Sequence, residues 1–281
     1  MFNLTKMDMH RLLHSTTTWI TIIFAIIIAI FGVAMTDMDI QASQENPPAA
    51  IEEMTTEQQV GITVTGNPEW ASGKVELGDI ISMEMQSGLI TILCVIFAAL
   101  FANAEQKNGY IKNIGGQFPK RWKLILSKFL AIAVQTFVLL FVFVAVTAAT
   151  SILFWGNQVY VASLNPLLKV LGIQYLLHTG LATLIMFLSI LTRSTAFSTT
   201  TGILLCSGLT AFLYSGVNQV ISNVKPTWNF DINNYVLESN IRGIGIDTIS
   251  DVMLRSAIVG IVFVIVFIVF SMITIQKRDI R

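Results

Sequence analysis

Residues 105–128 read EQKNGYIKNIGGQFPKRWKLILSK and hold six of the chain's 17 basic residues, two adjacent glycines and a proline, in a chain that is 54% hydrophobic. Apolar runs flank this stretch, residues 85–104 before it and 124–149 into and beyond it, and each is about the 20 residues that cross a bilayer as a helix. A polar segment between two such runs reads as a loop at a membrane surface, and that reading decides the fold. Only 12% of the 281 residues are charged, about half the share of a water-soluble domain, and the mean hydropathy is +0.70.

Working outward, the other runs of this kind are residues 19–35, 166–191, 197–220 and 254–275. The expectation is an all-α membrane protein, one domain over residues 1–281 with six transmembrane helices. With the N-terminus inside, the inner side holds Lys6, Arg11, Lys107, Lys112, Lys120, Arg121, Lys123, Lys128, Arg193, Lys277, Arg278 and Arg281, which is 12 of the 17 basic residues. The outer side keeps Lys74, Lys169, Lys225, Arg242 and Arg255. Basic bias in short loops sets orientation, so both termini are expected in the cytoplasm. The first run resembles a secretory signal only in Gly32 and Ala34; it is long for such a signal, and retaining it makes the charge pattern consistent.

Residues 2–14 are read either as a helix lying in the membrane interface, with Phe2, Met9 and Leu13 on one side, or as a plain basic tail. The first outer loop, residues 36–84, holds ten carboxylates and Pro47-Pro48, which suits a partly ordered lid rather than a domain with its own core. The outer loop 221–253 carries Trp228, Phe230 and Tyr235, which suit an interface. No internal sequence repeat is read. Cys94 and Cys206 fall inside spans, and no metal-ligand spacing is present.

Catalytic motifs are absent too: no phosphate loop, HExxH or GxSxG is found, so no ATP hydrolysis and no catalytic residue is assigned. Within the spans, Gln174 and His178 lie one turn apart on a helix. Together with Gln135 they are either a functional intramembrane polar pathway or hydrogen-bonding glue between helices. Ser207, Ala211 and Ser215 form a small-residue stripe at spacing four, suited to packing or a dimer contact.

The opening segment holds more than charge. Asn108 suits a helix cap, Tyr110, Ile111 and Ile114 fall on one side of the following turns, Gly115-Gly116 stops them, and Pro119 suits the first turn of the next helix. A short amphipathic helix on the cytoplasmic face is expected, and its apolar knob invites a partner with a groove.

The pattern Glu105, Gly109, Pro119, Arg121 and Lys128 resembles the E-x-x-x-G … P-x-x-R … K signature of ABC-2 type transporter permeases, with Pro119 two residues before Arg121 rather than the usual three. The terminal KRDI, residues 277–280, is also similar, and within the family the bacitracin-resistance and lantibiotic-immunity permeases are the nearest in flavour. The resemblance implies a multi-pass subunit of a bacterial plasma-membrane exporter, for a peptide antibiotic, bacteriocin or other amphipathic compound. It implies a second permease copy or sister permease, and two copies of a cytosolic ATPase that would hold ATP and Mg. The helix at about residues 108–114 would then be the coupling helix. No cofactor is expected in this chain, and no nucleic-acid partner. Two other classes stand beside it: an ATPase-independent receptor or scaffold, and an ion-coupled secondary transporter, which the lack of mid-membrane carboxylates disfavours.

Overall fold

The computed structural model describes residues 2–45, 74–107, 121–225, 228 and 230–277. The described helices, in chain order, are α1 (Phe2–His14), α2 (Thr16–Glu45), α3 (Leu77–Gln86), α4 (Leu89–Lys107), α5 (Trp122–Trp155), α6 (Leu164–Thr192), α7 (Thr195–Cys206), α8 (Thr210–Val224), α9 (Leu237–Gly243) and α10 (Ser250–Lys277). Extended structure among the described residues is limited to β1 (Val75–Glu76) and β2 (Val159–Tyr160), a parallel pair with Val75 opposite Val159.

The fold is all-α, and its long apolar helices fit a multi-pass membrane protein. Among the described residues, four stretches are long and apolar enough to cross a bilayer: Thr16–Gln41, Trp122–Gln158, Leu164–Thr192 and Ser250–Lys277. The number rises to six if the bent pairs α3–α4 and α7–α8 each count as one span. These are the expected apolar runs with longer ends. α2 runs on to Glu45, nine residues past the expected start of the outer loop, and residues 46–73 of that loop lie outside the described residues.

Local sequence explains the ends. α5 has no glycine or proline over 34 residues and stops at Gly156, whose φ of 52° is open to a residue without Cβ. Pro166 sits in the first turn of α6, where the missing N–H would have no intrahelical partner. Ser194 caps α7 by accepting from the Phe197 N–H at 3.2 Å.

α6 sits at the centre, against α4, α5, α7, α9 and α10. Its crossing with α10 is close: a Cβ on Gly260 would stand 3.2 Å from the Leu176 carbonyl carbon, and one on Gly180 3.3 Å from the Gly260 oxygen. Gly202 plays the same part for α7 against Val95 of α4. α2 lays a stripe of Thr18, Thr21, Ala25, Ala29 and Val33 against the bundle, all buried, while Trp19, Ile23, Phe24, Ile27 and Phe31 stay exposed for lipid. Small residues at helical spacing let backbones approach where lipid supplies no hydrophobic drive.

The N-terminal segment is helical, and its packed side differs from the expected one. α1 packs on α5 through Leu4, Asp8 and Leu12, all buried, whereas Leu13 is 58% exposed. Asp8 accepts a hydrogen bond from the Ser127 hydroxyl and lies 3.8 Å from Arg11. The Arg11 guanidinium stands 4.1 Å over the Phe101 ring, and Lys128 donates to the Ala102 carbonyl at 3.1 Å. A carboxylate on the packed face hides the helix's real apolar side from a pattern search.

Candidate functional site

The sequence SGL occurs at residues 87–89 and again at 207–209, and each copy breaks a helix. Ser87 ends α3 and Leu89 begins α4; Ser207 ends α7 and Leu209 precedes α8. The two breaks share one bonding pattern. The Ser87 hydroxyl donates to the Glu84 carbonyl at 2.7 Å and accepts from the Leu89 N–H at 3.3 Å. The Ser207 hydroxyl donates to the Leu204 carbonyl at 2.8 Å and accepts from the Leu209 N–H at 3.4 Å. Between them Gly88 and Gly208 adopt φ of 81° and 78°, the left-handed region that glycine enters freely. The chain bends by 50° at the first break and by 67° at the second.

The breaks meet. A Cβ on Gly88 would stand 3.4 Å from the Cys206 carbonyl oxygen, and that carbonyl accepts a hydrogen bond from Arg242 of α9. The same guanidinium would be 3.7 Å from a Gly88 Cβ and 2.8 Å from a Gly208 Cβ. One cation therefore occupies the C-terminal end of α7, where the helix dipole favours positive charge, beside the N-terminal end of α4.

α9 reaches this point because the chain between α8 and α10 folds back into the bundle. Leu237 and Ile241 are fully buried, and Leu237 lies against Gly180 of α6. The last carbonyls of so short a helix need partners. Gln174 of α6 supplies them, its Nε2 donating to the Ile241 and Ile244 carbonyls at 2.9 and 3.2 Å. His178, halfway along α6, bonds through Nδ1 to the Gln174 carbonyl at 2.7 Å and through Nε2 to the Thr91 hydroxyl at 3.0 Å. A neutral ring meets both contacts, with Nδ1–H donating and Nε2 accepting. On the other side of Arg242, Glu238 of α9 is 6% exposed and accepts from the Tyr214 hydroxyl of α8. Burial pushes the Glu238 carboxyl above its ordinary range, while the Tyr214 bond and the nearby Arg242 cation pull the other way.

The expected site residues divide accordingly. Gln174 and His178 share one network with Thr91 and α9, whereas Gln135 of α5 is fully buried and its amide makes no hydrogen bond among the described residues. The spacing-four stripe Ser207, Ala211 and Ser215 does not lie on one helix face: the break separates Ser207 from the other two, and α8 buries none of its residues. Of the signature between residues 105 and 128, Glu105 belongs to α4, Arg121 immediately precedes α5 and Lys128 holds α4 to α5. Asn108, Gly109, Tyr110, Ile111, Ile114 and Pro119 lie outside the described residues, as do Arg278–Ile280 of the terminal motif.

Composition and hydropathy pass over Arg242, Glu238 and the two glycines, because a 20-residue average is indifferent to one Ser-Gly step. The repeated tripeptide was the readable signal. Glu84 was also missed: it is 5% exposed, accepts from the Thr36 hydroxyl at 3.3 Å and packs on Gly32 of α2.

Discontinuous helices whose ends meet inside a bundle place backbone dipoles and polar side chains where a passing solute or a moving helix can use them. No curated protein matches the chain. A family model described as "Protein of unknown function (DUF2705)" matches residues 69–281, which takes in both breaks, Arg242 and the Gln174–His178 network and leaves out α1 and α2. The chain belongs to the DUF2705 family.

Proposed function

We propose that this chain is the membrane subunit of an ATP-driven ABC-2 type exporter in the bacterial plasma membrane, moving an amphipathic compound such as a peptide antibiotic or bacteriocin. It has six spans with both termini in the cytoplasm, works as a pair of permeases, and takes its energy from two copies of a cytosolic ATPase that hold ATP and Mg. The observation that carries the reading is the Glu105, Gly109, Pro119, Arg121 and Lys128 pattern in the segment joining α4 to α5.

α4 gives that pattern a mechanical meaning. It is a 19-residue helix, about 28 Å of rigid rod at 1.5 Å per residue. The lever segment follows its far end, and the Arg242 junction sits at its near end. A push on the residues after Lys107 is delivered along α4 to the point where both broken helices meet, and α1 braces the lever end through Asp8 and Ser127. The nucleotide acts by favouring one arrangement of the ATPase pair over the other.

The test asks whether the full chain, isolated from its own host membranes, co-purifies with a cytosolic ATPase and stimulates it. Stimulated ATP hydrolysis is expected for the wild type and its loss for Tyr110→Asp with Ile111→Asp; hydrolysis and binding unchanged in that variant would sink the assignment. A second reading, ion-coupled transport by the chain alone, gains from the buried carboxylates of Glu84 and Glu238. It requires gradient-driven flux in liposomes that contain no ATPase.

A further inference from the structure

The first half of α10 carries a groove that neither the junction nor the lever uses. Asp251, Leu254, Arg255, Ile258 and Val262 recur at helical spacing and so share one ridge, and Tyr235, from the 3₁₀ turn Ile232–Tyr235, overhangs it. The space in the groove is about 440 Å³. Its wall is apolar and open to the bilayer, with Leu254 64%, Ile258 52% and Val262 48% exposed. Tyr235 is held in place by stacking on Phe230, centroids 5.4 Å apart.

Two charges stand at the head of this wall in a fixed order. Arg255 is one turn deeper than Asp251, about 6 Å along the axis. Its Nε is shielded from solvent and has no hydrogen-bond partner, a costly state for a charged donor. The helix therefore presents, from its start inward, an anion, a cation and a strip of branched aliphatic side chains. A zwitterionic aminophospholipid presents the complement in the same order: an ammonium that donates N–H bonds, a phosphate, and an acyl chain.

We propose that this groove is a binding site for one phosphatidylethanolamine molecule. Arg255 donates to the phosphate, Asp251 accepts from the ammonium, and one acyl chain lies along Leu254, Ile258 and Val262 beneath Tyr235. A phosphatidylcholine fits the chain and the phosphate but has no N–H for Asp251. A phosphatidylglycerol fits the phosphate and faces Asp251 with no cation. The site is independent of the transport reading, since it uses neither the lever nor the ATPase.

The experiment is native mass spectrometry of the full chain in mild detergent, titrated with phosphatidylethanolamine, phosphatidylcholine and phosphatidylglycerol of identical acyl chains. One tightly held phosphatidylethanolamine is expected, with the other two weaker by about tenfold, the equivalent of one charged hydrogen bond. Arg255→Gln is expected to weaken all three lipids, and Asp251→Asn to abolish only the preference for phosphatidylethanolamine. Asp251 is exposed, so its variant reads the preference even if Arg255→Gln folds poorly. Equal retention of the three lipids by the wild type, or an unchanged preference in Asp251→Asn, overturns the proposal. So does a Leu254→Cys variant that cross-links between copies in liposomes, because the groove is then covered by a second chain.

Discussion

Arg242 is the residue on which most of the local geometry turns. Its guanidinium bonds the Cys206 carbonyl and touches the space above both hinge glycines, so no smaller donor reaches all three. Arg242→Gln is expected to lower stability by about 1.5 kcal/mol, the low end for a charged donor because this side chain is partly exposed, as read by denaturant unfolding in detergent. Gly208→Ala combines a positive φ with a Cβ 2.8 Å from Arg242 Nη1 and is expected to cost about 1–3 kcal/mol by the same measurement. Glu238 gives the junction a pH dependence. Its folded carboxyl titrates above the ordinary value of 4.5, so its contribution to stability is fully present below that value and is lost as pH rises through the raised one. The wild type is therefore expected to lose melting temperature as pH rises above the ordinary value of 4.5 and through the raised one, and Glu238→Gln, which keeps the acceptor for Tyr214 without the charge, to lose less.

At the level of elements, the helices divide by how they are held. α6 and α10 meet backbone to backbone at Gly180 and Gly260, with the Leu176 carbonyl carbon 3.2 Å from the site of a Gly260 Cβ. Gly260→Leu is expected to push the pair apart at about 1–3 kcal/mol, the usual cost of overfilling a packed site, measured as a fall in the unfolding midpoint. α8 is the opposite case: it buries no residue, and its polar ties run to the re-entrant segment, through Tyr214 to Glu238 and Asn218 to Asp231 at 2.6 Å. α8 is therefore held by a few polar ties, whereas α6 and α10 are held by backbone contact. α1 is fixed differently again, by a carboxylate–hydroxyl bond on an otherwise apolar face.

For the molecule as a whole, the apolar runs foretold where the long helices lie, because a chain crossing lipid must satisfy its backbone internally and does so as helix. The same averaging concealed the bends at Gly88 and Gly208, since one Ser-Gly step barely alters a 20-residue mean. The segment around α9 was read as an outer loop suited to the interface by Trp228, Phe230 and Tyr235, and it also carries the polar residues Asn233, Asn234, Glu238, Asn240 and Arg242. In the fold these groups are paired within the bundle: Asn240 donates to the Val236 carbonyl at 2.7 Å and accepts from the Ser256 hydroxyl at 2.6 Å. The Gln174–His178 pair was legible as an intramembrane feature, but its role as partner to α9 required knowing that α9 returns to it. The proposed topology is open to a direct check. Cysteine placed at Trp228 is expected to react with an impermeant maleimide on intact cells, and cysteine at Lys277 only after permeabilisation. Cys94 and Cys206 are both buried and give little background.

The position of Arg242 in the chain also bears on biogenesis. Translation delivers Gly88 and its kink long before Arg242 exists, so the bend between α3 and α4 enters the bilayer unfastened. It stays so while α5, α6, α7 and α8 follow. The half-made protein is a set of inserted helices with an open seam, closed only when the last turn of α9 leaves the ribosome and drops beside Cys206. Quality-control proteases thus have their best opportunity late in synthesis, before Arg242 is in place.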